Sequence, residues 1–147
     1  MYNLYKAIDD SSLLMPCDSI YYIITHYTAS NAQIEFLKNR AAEVLMVAIQ
    51  SSIRIKELES TFVQMDDGDL EDHGNGLTIR EALVEYAKDC IKGRWPELEP
   101  LIVNYNAHYA FAYAKHVIKA RWPEAEPMIA RNKYTAFHYN NTFHTNL

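Results

Sequence analysis

Two near-copies of one segment in the second half of the chain constrain its fold more than any other feature. YAKDCIKGRWPELEPLI at residues 86–102 recurs as YAKHVIKARWPEAEPMI at residues 113–129, and twelve of the seventeen paired positions are identical. An offset of 27 residues with this identity indicates an internal duplication, and periods of roughly 20–50 residues are typical of repeat architectures. The sequence therefore predicts repeats at about 80–106 and 107–133, with a partial third copy at 134–147.

The shared Arg-Trp-Pro-Glu-x-Glu-Pro block predicts a longer helix, a tight turn and a short helix in each unit. Proline disfavours an α conformation in the preceding tryptophan and suits the first position of a new helix. Carboxylates in that first turn face the positive end of the helix dipole, where an arginine can pair with them. We expect the tryptophans to wedge between units, with binding as the alternative role. The residues concerned are Arg94, Trp95, Glu97, Glu99, Arg121, Trp122, Glu124 and Glu126.

The first half of the chain contains a long run without glycine or proline. Ser30 and Gln33 form a capping-box signature, and apolar residues then recur at steps of three and four. This pattern predicts one helix over about 31–64. Such a helix spans about 50 Å, more than a small domain covers easily, so a homodimer through it is the alternative to a buried core helix. The candidate dimer residues are Ile34, Leu37, Val44, Ile55, Leu58 and Phe62.

Two further segments complete the predicted architecture. Residues 19–28 are rich in β-branched and aromatic side chains, which favours a strand, although a lone strand leaves its edges unpaired and a buried helix is the alternative. Residues 65–77 are acidic and glycine-containing, which is typical of a solvated linker between residues 1–64 and 78–147. The predicted fold is all-α, with one short N-terminal strand or hairpin as an option and a long central helix beside two helix-turn-helix repeats.

Composition and charge narrow the class of protein. At 147 residues and 49% hydrophobic content, the chain can bury a core without a disulfide or metal. Its net charge is -5, with twelve Asp/Glu against five Lys/Arg in residues 1–79 and seven against nine in residues 80–147. Cys90 is replaced by valine in the second repeat, so it is expected in the core. No leader or membrane span is evident, which predicts a cytoplasmic location and no membrane partner.

No signature of catalysis, metal binding or cofactor binding is present, so we expect a protein that is not an enzyme and uses no cofactor. The chain lacks a nucleophile elbow, a phosphate-binding loop and a glycine-rich dinucleotide turn. His108 and His116 are eight residues apart, too far along a helix to share a zinc ion. The acidic segment at 67–78 begins like a calcium loop, but Asp72 replaces its glycine and Thr78 its bidentate carboxylate.

Nucleic acid is the alternative partner. Lys92, Arg94, Lys119 and Arg121 recur beside the tryptophans, and a repeated basic and aromatic edge could follow a phosphate backbone. The glutamates that follow at once, and the acidic total, argue against it, because a phosphate track carries a basic excess. A protein partner is therefore expected first.

The tandem YAK-x-x-I-K-x-RWPEaEP pattern resembles a family of short helical repeats found in proteins of tailed bacteriophages and other viruses. The resemblance covers residues 80–134 and leaves the first half without a relative. It implies a phage-encoded helical repeat protein of the host cytoplasm that acts by protein-protein interaction, for example by inhibiting a host defence or redirecting a host factor. No enzymatic activity is implied.

Overall fold

The computed structural model describes residues 16–70 and 76–147, and its regular structure in these residues is entirely helical. The prediction of an all-α fold is confirmed. The chain divides between Ala82 and Leu83 into two compact units, here the N-terminal unit and the C-terminal unit. No helix within the described ranges is long and apolar enough to cross a membrane.

The N-terminal unit is organised around a central helix, α3, whose Val44, Leu45 and Ala48 are fully buried. Helix α3 contacts each of the four other helices named below. A 3₁₀ turn at Lys56–Leu58 leads into the helix Glu59–Phe62. The helices are α1 (Pro16–Thr25), α2 (Asn31–Lys38), α3 (Ala41–Ser51), α4 (Glu59–Phe62) and α5 (Asp67–Leu70).

Residues 19–25, considered above as a possible strand, belong to helix α1. Ile20, Ile23 and Ile24 follow the spacing of one helix face, and all three are buried. Helix α1 packs against α3, so tertiary burial of this apolar face outweighs the strand propensity of the β-branched residues. The strand alternative was wrong, and the buried-helix alternative was right.

The single helix predicted over 31–64 is also wrong, because the chain breaks twice within it. Helix α2 ends at Lys38, and α3 ends at Ser51 before Ser52 adopts a left-handed conformation with φ 54°. The predicted capping box is confirmed at the start of α2, where Ser30 and Gln33 cap each other. Folding the run back on itself lets its apolar face bury against the same chain, which a straight rod of this length could not do.

These breaks change the reading of the candidate dimer stripe. Ile34 is half-buried, while the other five residues, Leu37, Val44, Ile55, Leu58 and Phe62, are fully buried in the N-terminal unit. The excess length that suggested a partner helix is therefore gone. Self-association of the chain stays a prediction, but this stripe does not provide its surface.

The described part of the acidic segment is folded. Leu70 of α5 is buried, and Asp66 and Asp69 each accept the other's backbone N–H at 3.0 and 2.9 Å. The carboxylate of Asp67 accepts the N–H of Ile79 at 2.8 Å and so helps to start helix α6 (Ile79–Tyr86). The remainder of the predicted linker, 71–75, lies outside the described residues. What the structure describes is a short helical connection with capping carboxylates.

The C-terminal unit consists of repeated helix and turn segments, as the repeat predicted. Helix α6 continues into a wide π turn at Ala87–Ile91, and helix α8 (Ala107–Tyr113) continues into a second one at Ala114–Ile118. Cys90 is buried, as expected. The helices are α6 (Ile79–Tyr86), which begins before the division, α7 (Glu99–Ile102), α8 (Ala107–Tyr113), α9 (Glu126–Ala130) and α10 (Lys133–Phe143).

The partial third copy forms a complete helix, and its register differs by one residue from the predicted one. Asn106 caps α8 and Asn132 caps α10, each with its side-chain oxygen. Measured from these caps, Tyr139 is the counterpart of Tyr113, an offset of 26 rather than 27 residues. The difference lies in the connection before the cap, which has one extra residue, Tyr105, in the first copy.

Both long helices of the repeats end at a lysine in the left-handed region. Lys92 and Lys119 have φ 60°, whereas Gly93, the residue after Lys92, does not have a positive φ. Each lysine N–H donates to a carbonyl five residues earlier, at 2.7 Å. The repeats therefore place a side chain where glycine is normally favoured.

Replacement of Lys119 by glycine should consequently stabilise the protein. We expect Lys119→Gly to raise the free energy of unfolding by up to about 1 kcal/mol. Glycine adopts the left-handed conformation without the steric cost that lysine has there. This gain exceeds the loss that comes from glycine's greater conformational entropy in the unfolded chain. Ala120→Gly is the matched control, since Ala120 is exposed and has no positive φ. Urea denaturation of the two variants should show opposite shifts, and a loss of stability in Lys119→Gly would contradict the argument.

Candidate functional site: the repeat joints and the exposed aromatic residues

The arginine of each repeat is held by one glutamate through two hydrogen bonds. Arg94 Nε and Nη2 donate to the Glu99 carboxylate at 2.9 and 2.7 Å, and Arg121 binds Glu126 in the same way at 2.9 and 2.9 Å. Glu97 and Glu124 are exposed, and neither forms one of these bonds. The predicted pairing is thus present for the second glutamate of each block.

A tyrosine from the next helix completes each of these clusters. The Tyr113 hydroxyl donates to Glu99 Oε2 at 2.7 Å and accepts the backbone N–H of Trp95 at 2.7 Å. Tyr139 makes the same two bonds one unit later, to Glu126 Oε2 at 2.7 Å and from Trp122 N–H at 2.8 Å. We call each set of arginine, glutamate, tryptophan N–H and following tyrosine a repeat joint.

The tryptophans lie in the core, and their predicted place between units stays a prediction. Trp95 and Trp122 are 3% and 2% exposed. Each indole packs on the tyrosine of its own unit, with Tyr86 and Trp95 ring centres 5.3 Å apart and Tyr113 and Trp122 ring centres 5.0 Å apart. The backbone N–H of each tryptophan donates to the tyrosine hydroxyl of the next unit, so tyrosine is a stacking residue that the sequence did not indicate.

A third copy of the arginine and glutamate pair lies in the N-terminal unit. Arg54 Nε and Nη2 donate to the Glu59 carboxylate at 2.8 and 3.1 Å, with the same five-residue spacing as in the repeats. Ser52 takes the left-handed position two residues before the arginine, as Lys92 and Lys119 do. Ile55 stands in place of tryptophan and is fully buried. In the sequence, Arg-x-x-Glu-Leu-Glu marks this copy, because residues 54–59 match residues 94–99 at four of six positions.

The carboxylates and phenols of the joints have pKa values that are shifted further away from neutral pH. Hydrogen bonds from Arg94 lower the pKa of Glu99, and those from Arg121 lower the pKa of Glu126. Burial raises the pKa of Tyr113, and burial likewise raises the pKa of Tyr139 to about 12. At neutral pH each joint therefore contains a carboxylate, a guanidinium and a neutral phenol, which suits structural hydrogen bonding rather than proton transfer.

These shifts predict a loss of stability in acid. Since the folded pKa of Glu99 and Glu126 lies below the ordinary 4.5, their contribution is complete above pH 4.5 and is lost as pH falls through the folded values. The raised pKa of Tyr139 predicts a second loss of stability, in alkali, as pH rises from 10 towards about 12.

Urea midpoints measured from about pH 7 down to pH 2.5 should show the decrease of stability in acid, here called the acid limb. A Glu99→Gln/Glu126→Gln variant should have a flatter limb, and an unchanged acid slope in that variant would refute this assignment.

The joints bear on the nucleic-acid alternative. The guanidinium groups of Arg94 and Arg121 are engaged by carboxylates, which offsets the positive charge they would offer to a phosphate. Lys92 and Lys119 are exposed at the ends of the long helices. Of the four predicted contacts, only these two lysines present a head group without an ion pair among the described residues.

The described residues bring no metal-binding set together. Across 16–70 and 76–147, no three His, Cys, Asp or Glu side chains converge as they would around a metal ion. An open cleft of about 320 Å³ runs between the turns of the two repeats. It is lined by Arg94, Pro96, Pro100, Val103, Trp122 and Glu124. Its polar groups belong to the first repeat joint or lie beside it, so the cleft follows from the stacking of the units.

Three large aromatic side chains of the C-terminal unit are exposed. Tyr105 is 54% exposed, Tyr134 is 74% exposed and Phe137 is 60% exposed. Tyr134 and Phe137 lie on α10, and His138 packs edge-on against both rings, at 4.5 and 5.4 Å between ring centres. We call Tyr134, Phe137 and His138 the α10 aromatic face.

The residues predicted to stack the repeats, with binding as the alternative role, include those that form the joints, whereas the exposed aromatic residues were not predicted as a site. The arginines and the second glutamates bind each other in the joints, and the tryptophans lie in the core. No residue type marked the exposed set in the sequence, because Phe111, the counterpart of Phe137 one unit earlier, is partly covered. Comparison with protein-family models, curated proteins and solved structures finds no match to this chain.

Proposed function

We propose that this chain is a non-enzymatic helical repeat protein that acts by binding another protein. The observation that carries the proposal is the exposure of Tyr105, Tyr134 and Phe137 in a unit whose two tryptophans and three of whose tyrosines are buried in its core. Clustered exposed aromatic residues are typical of protein interaction surfaces, where they supply large contact area at a small entropic cost. The joints supply the rigid support that such a surface needs.

The biological setting of the proposal comes from the resemblance of the repeat to those of tailed bacteriophages and other viruses. A small phage-encoded protein of this kind would act in the host cytoplasm, by inhibiting a host defence protein or by redirecting a host factor. The engagement of Arg94 and Arg121 by carboxylates supports a protein partner over nucleic acid. A steep decrease of binding with salt would instead favour nucleic acid.

A capture experiment from host lysate tests the proposal. The tagged wild-type chain and a Tyr134→Ser/Phe137→Ser variant would be used as baits, and captured proteins identified by mass spectrometry. Tyr21→Ser is the control, because Tyr21 is an aromatic residue of the N-terminal unit that is also 54% exposed. We expect at least one protein to be captured by wild type and by Tyr21→Ser but not by the double variant. Identical capture by all three baits would argue against this surface.

A further inference from the structure

The chemistry of a partner for the α10 aromatic face can be inferred from Phe111, the residue equivalent to Phe137 one unit earlier, and from what covers it. Phe111 and Phe137 hold the same place, two residues before Tyr113 and Tyr139 respectively. Phe111 is only partly exposed, and its ring meets that of Tyr139 edge-on at 6.1 Å between centres. Helix α10 therefore contributes to covering Phe111, together with Lys115, whose Nζ lies 5.8 Å from the ring centre. In this fold, a helix carrying an aromatic residue is what packs on this position.

Helix α10 presents the same position without such a cover. Phe137 is 60% exposed and Tyr134, one turn before it, is 74% exposed. No described residue stands over Phe137 as Tyr139 stands over Phe111. The ring of His138 lies between the two and widens the face to three rings. The free surface thus has the shape and chemistry of an internal helix contact.

The charged side chains that adjoin this face along the chain have one sign. Residues 127–147 contain no aspartate or glutamate. Arg131 and Lys133, at the start of α10, are exposed and form no ion pair among the described residues. An apolar face edged by cations attracts a ligand with apolar and acidic groups, because complementary charge at the rim favours association and suppresses other partners.

We propose that the α10 aromatic face binds an amphipathic helix of a partner protein whose apolar stripe is flanked by aspartate or glutamate. The apolar stripe would cover Tyr134 and Phe137, as α10 covers Phe111, and the acidic flank would face Arg131 and Lys133. This is the helix-on-helix mode of peptide recognition. Single-stranded nucleic acid would also stack on exposed rings, but two cations are few for a phosphate track. The inference rests on the proposed protein-binding function and specifies its partner.

A random 16-residue peptide display library provides the first test. Selection on the intact wild-type chain would be followed by counter-selection on Phe137→Ser, a surface change that should leave the thermal midpoint unaltered. We expect the surviving peptides to combine apolar residues at spacings of three and four with an excess of Asp and Glu. Survivors that are neutral or basic, or the absence of any survivor, would overturn the proposal.

Titration with the strongest peptide provides the second test. Arg131→Glu/Lys133→Glu should weaken its binding by on the order of tenfold at low salt, and by less at high salt, because the charges lie at the rim. Lys92→Glu/Lys119→Glu is the matched charge reversal away from the face and should leave the affinity unchanged. Equal weakening by both double variants would contradict the placement of the acidic flank.

The two levels of the proposal can fail separately. If lysate capture depends on Tyr134 and Phe137 but the display selection yields no acidic helix, the protein-binding function stands and the partner chemistry is wrong. If neither wild-type capture nor selection depends on these residues, both are wrong. Binding of the wild-type chain to a poly-uridine oligonucleotide through Phe137, or light scattering that shows a dimer lost in Phe137→Ser, would replace the acidic helix with nucleic acid or with a second copy.

Discussion

Replacement of Trp122 by alanine is expected to lower the free energy of unfolding by about 3–5 kcal/mol. The indole is 2% exposed and packs on the Tyr113 ring, so its removal leaves a large cavity beside the first repeat joint. A loss of this size is a substantial part of the total stability of a small protein, which is about 5–15 kcal/mol. Urea denaturation followed by circular dichroism measures it directly.

Tyr134→Ala is the matched control for this substitution. Tyr134 is also a large aromatic residue of the C-terminal unit, but it is 74% exposed, so its removal should change stability by no more than about 0.5 kcal/mol. If Trp122→Ala unfolded at the same urea concentration as wild type, the indole would have to be at the surface, and a binding role for the tryptophans would return.

The second large effect is expected for Tyr113→Phe, which removes a single oxygen atom. That oxygen donates to Glu99 and accepts the buried N–H of Trp95, so the variant leaves one buried donor without its partner and the carboxylate without one of its donors. Unpaired buried groups of this kind cost about 1–3 kcal/mol. We expect a destabilisation in this range, measured by the same denaturation experiment, with no change in helical content.

Two comparisons make the tyrosine result specific. Tyr139→Phe should have an effect similar to that of Tyr113→Phe, because Tyr139 makes the same two bonds to the next joint. Tyr134→Phe removes a hydroxyl from an exposed ring and should be nearly neutral. If Tyr113→Phe and Tyr134→Phe were equally mild, the joint would contribute little and the aromatic packing alone would hold the units together.

The sequence predicted the features of this fold that depend on local chemistry. The capping box of Ser30, the burial of Trp122 and the break before Pro123 each follow from one residue type at one position. The helix breaks after Lys38 and Ser51 were missed because no glycine or proline marks them. The apolar residues on either side keep the spacing of an unbroken helix, and only burial against α1 reveals that the chain folds back.

The candidate site was less predictable because pairing partners are distant in sequence. Arg94 and Glu99 lie five residues apart, so their pairing could be anticipated, but Tyr113 reaches Trp95 from 18 residues away through its hydroxyl. Repetition of a tyrosine shows that it matters to the repeat without showing what it touches. The exposure of Phe137 was likewise hidden, since the same residue type one unit earlier, Phe111, is partly covered.

The connections that precede the two asparagine caps differ by one residue, yet Tyr113 and Tyr139 meet their joints with nearly identical bond lengths. The joint, rather than the connecting loop, therefore determines how one helix is placed on the next. Loops of this kind accommodate changes in length at little thermodynamic cost. The stretch around Asn104 and Tyr105 is consequently a natural point at which this architecture can accept insertions, grafted peptides or altered spacing while the stacking of its units is preserved.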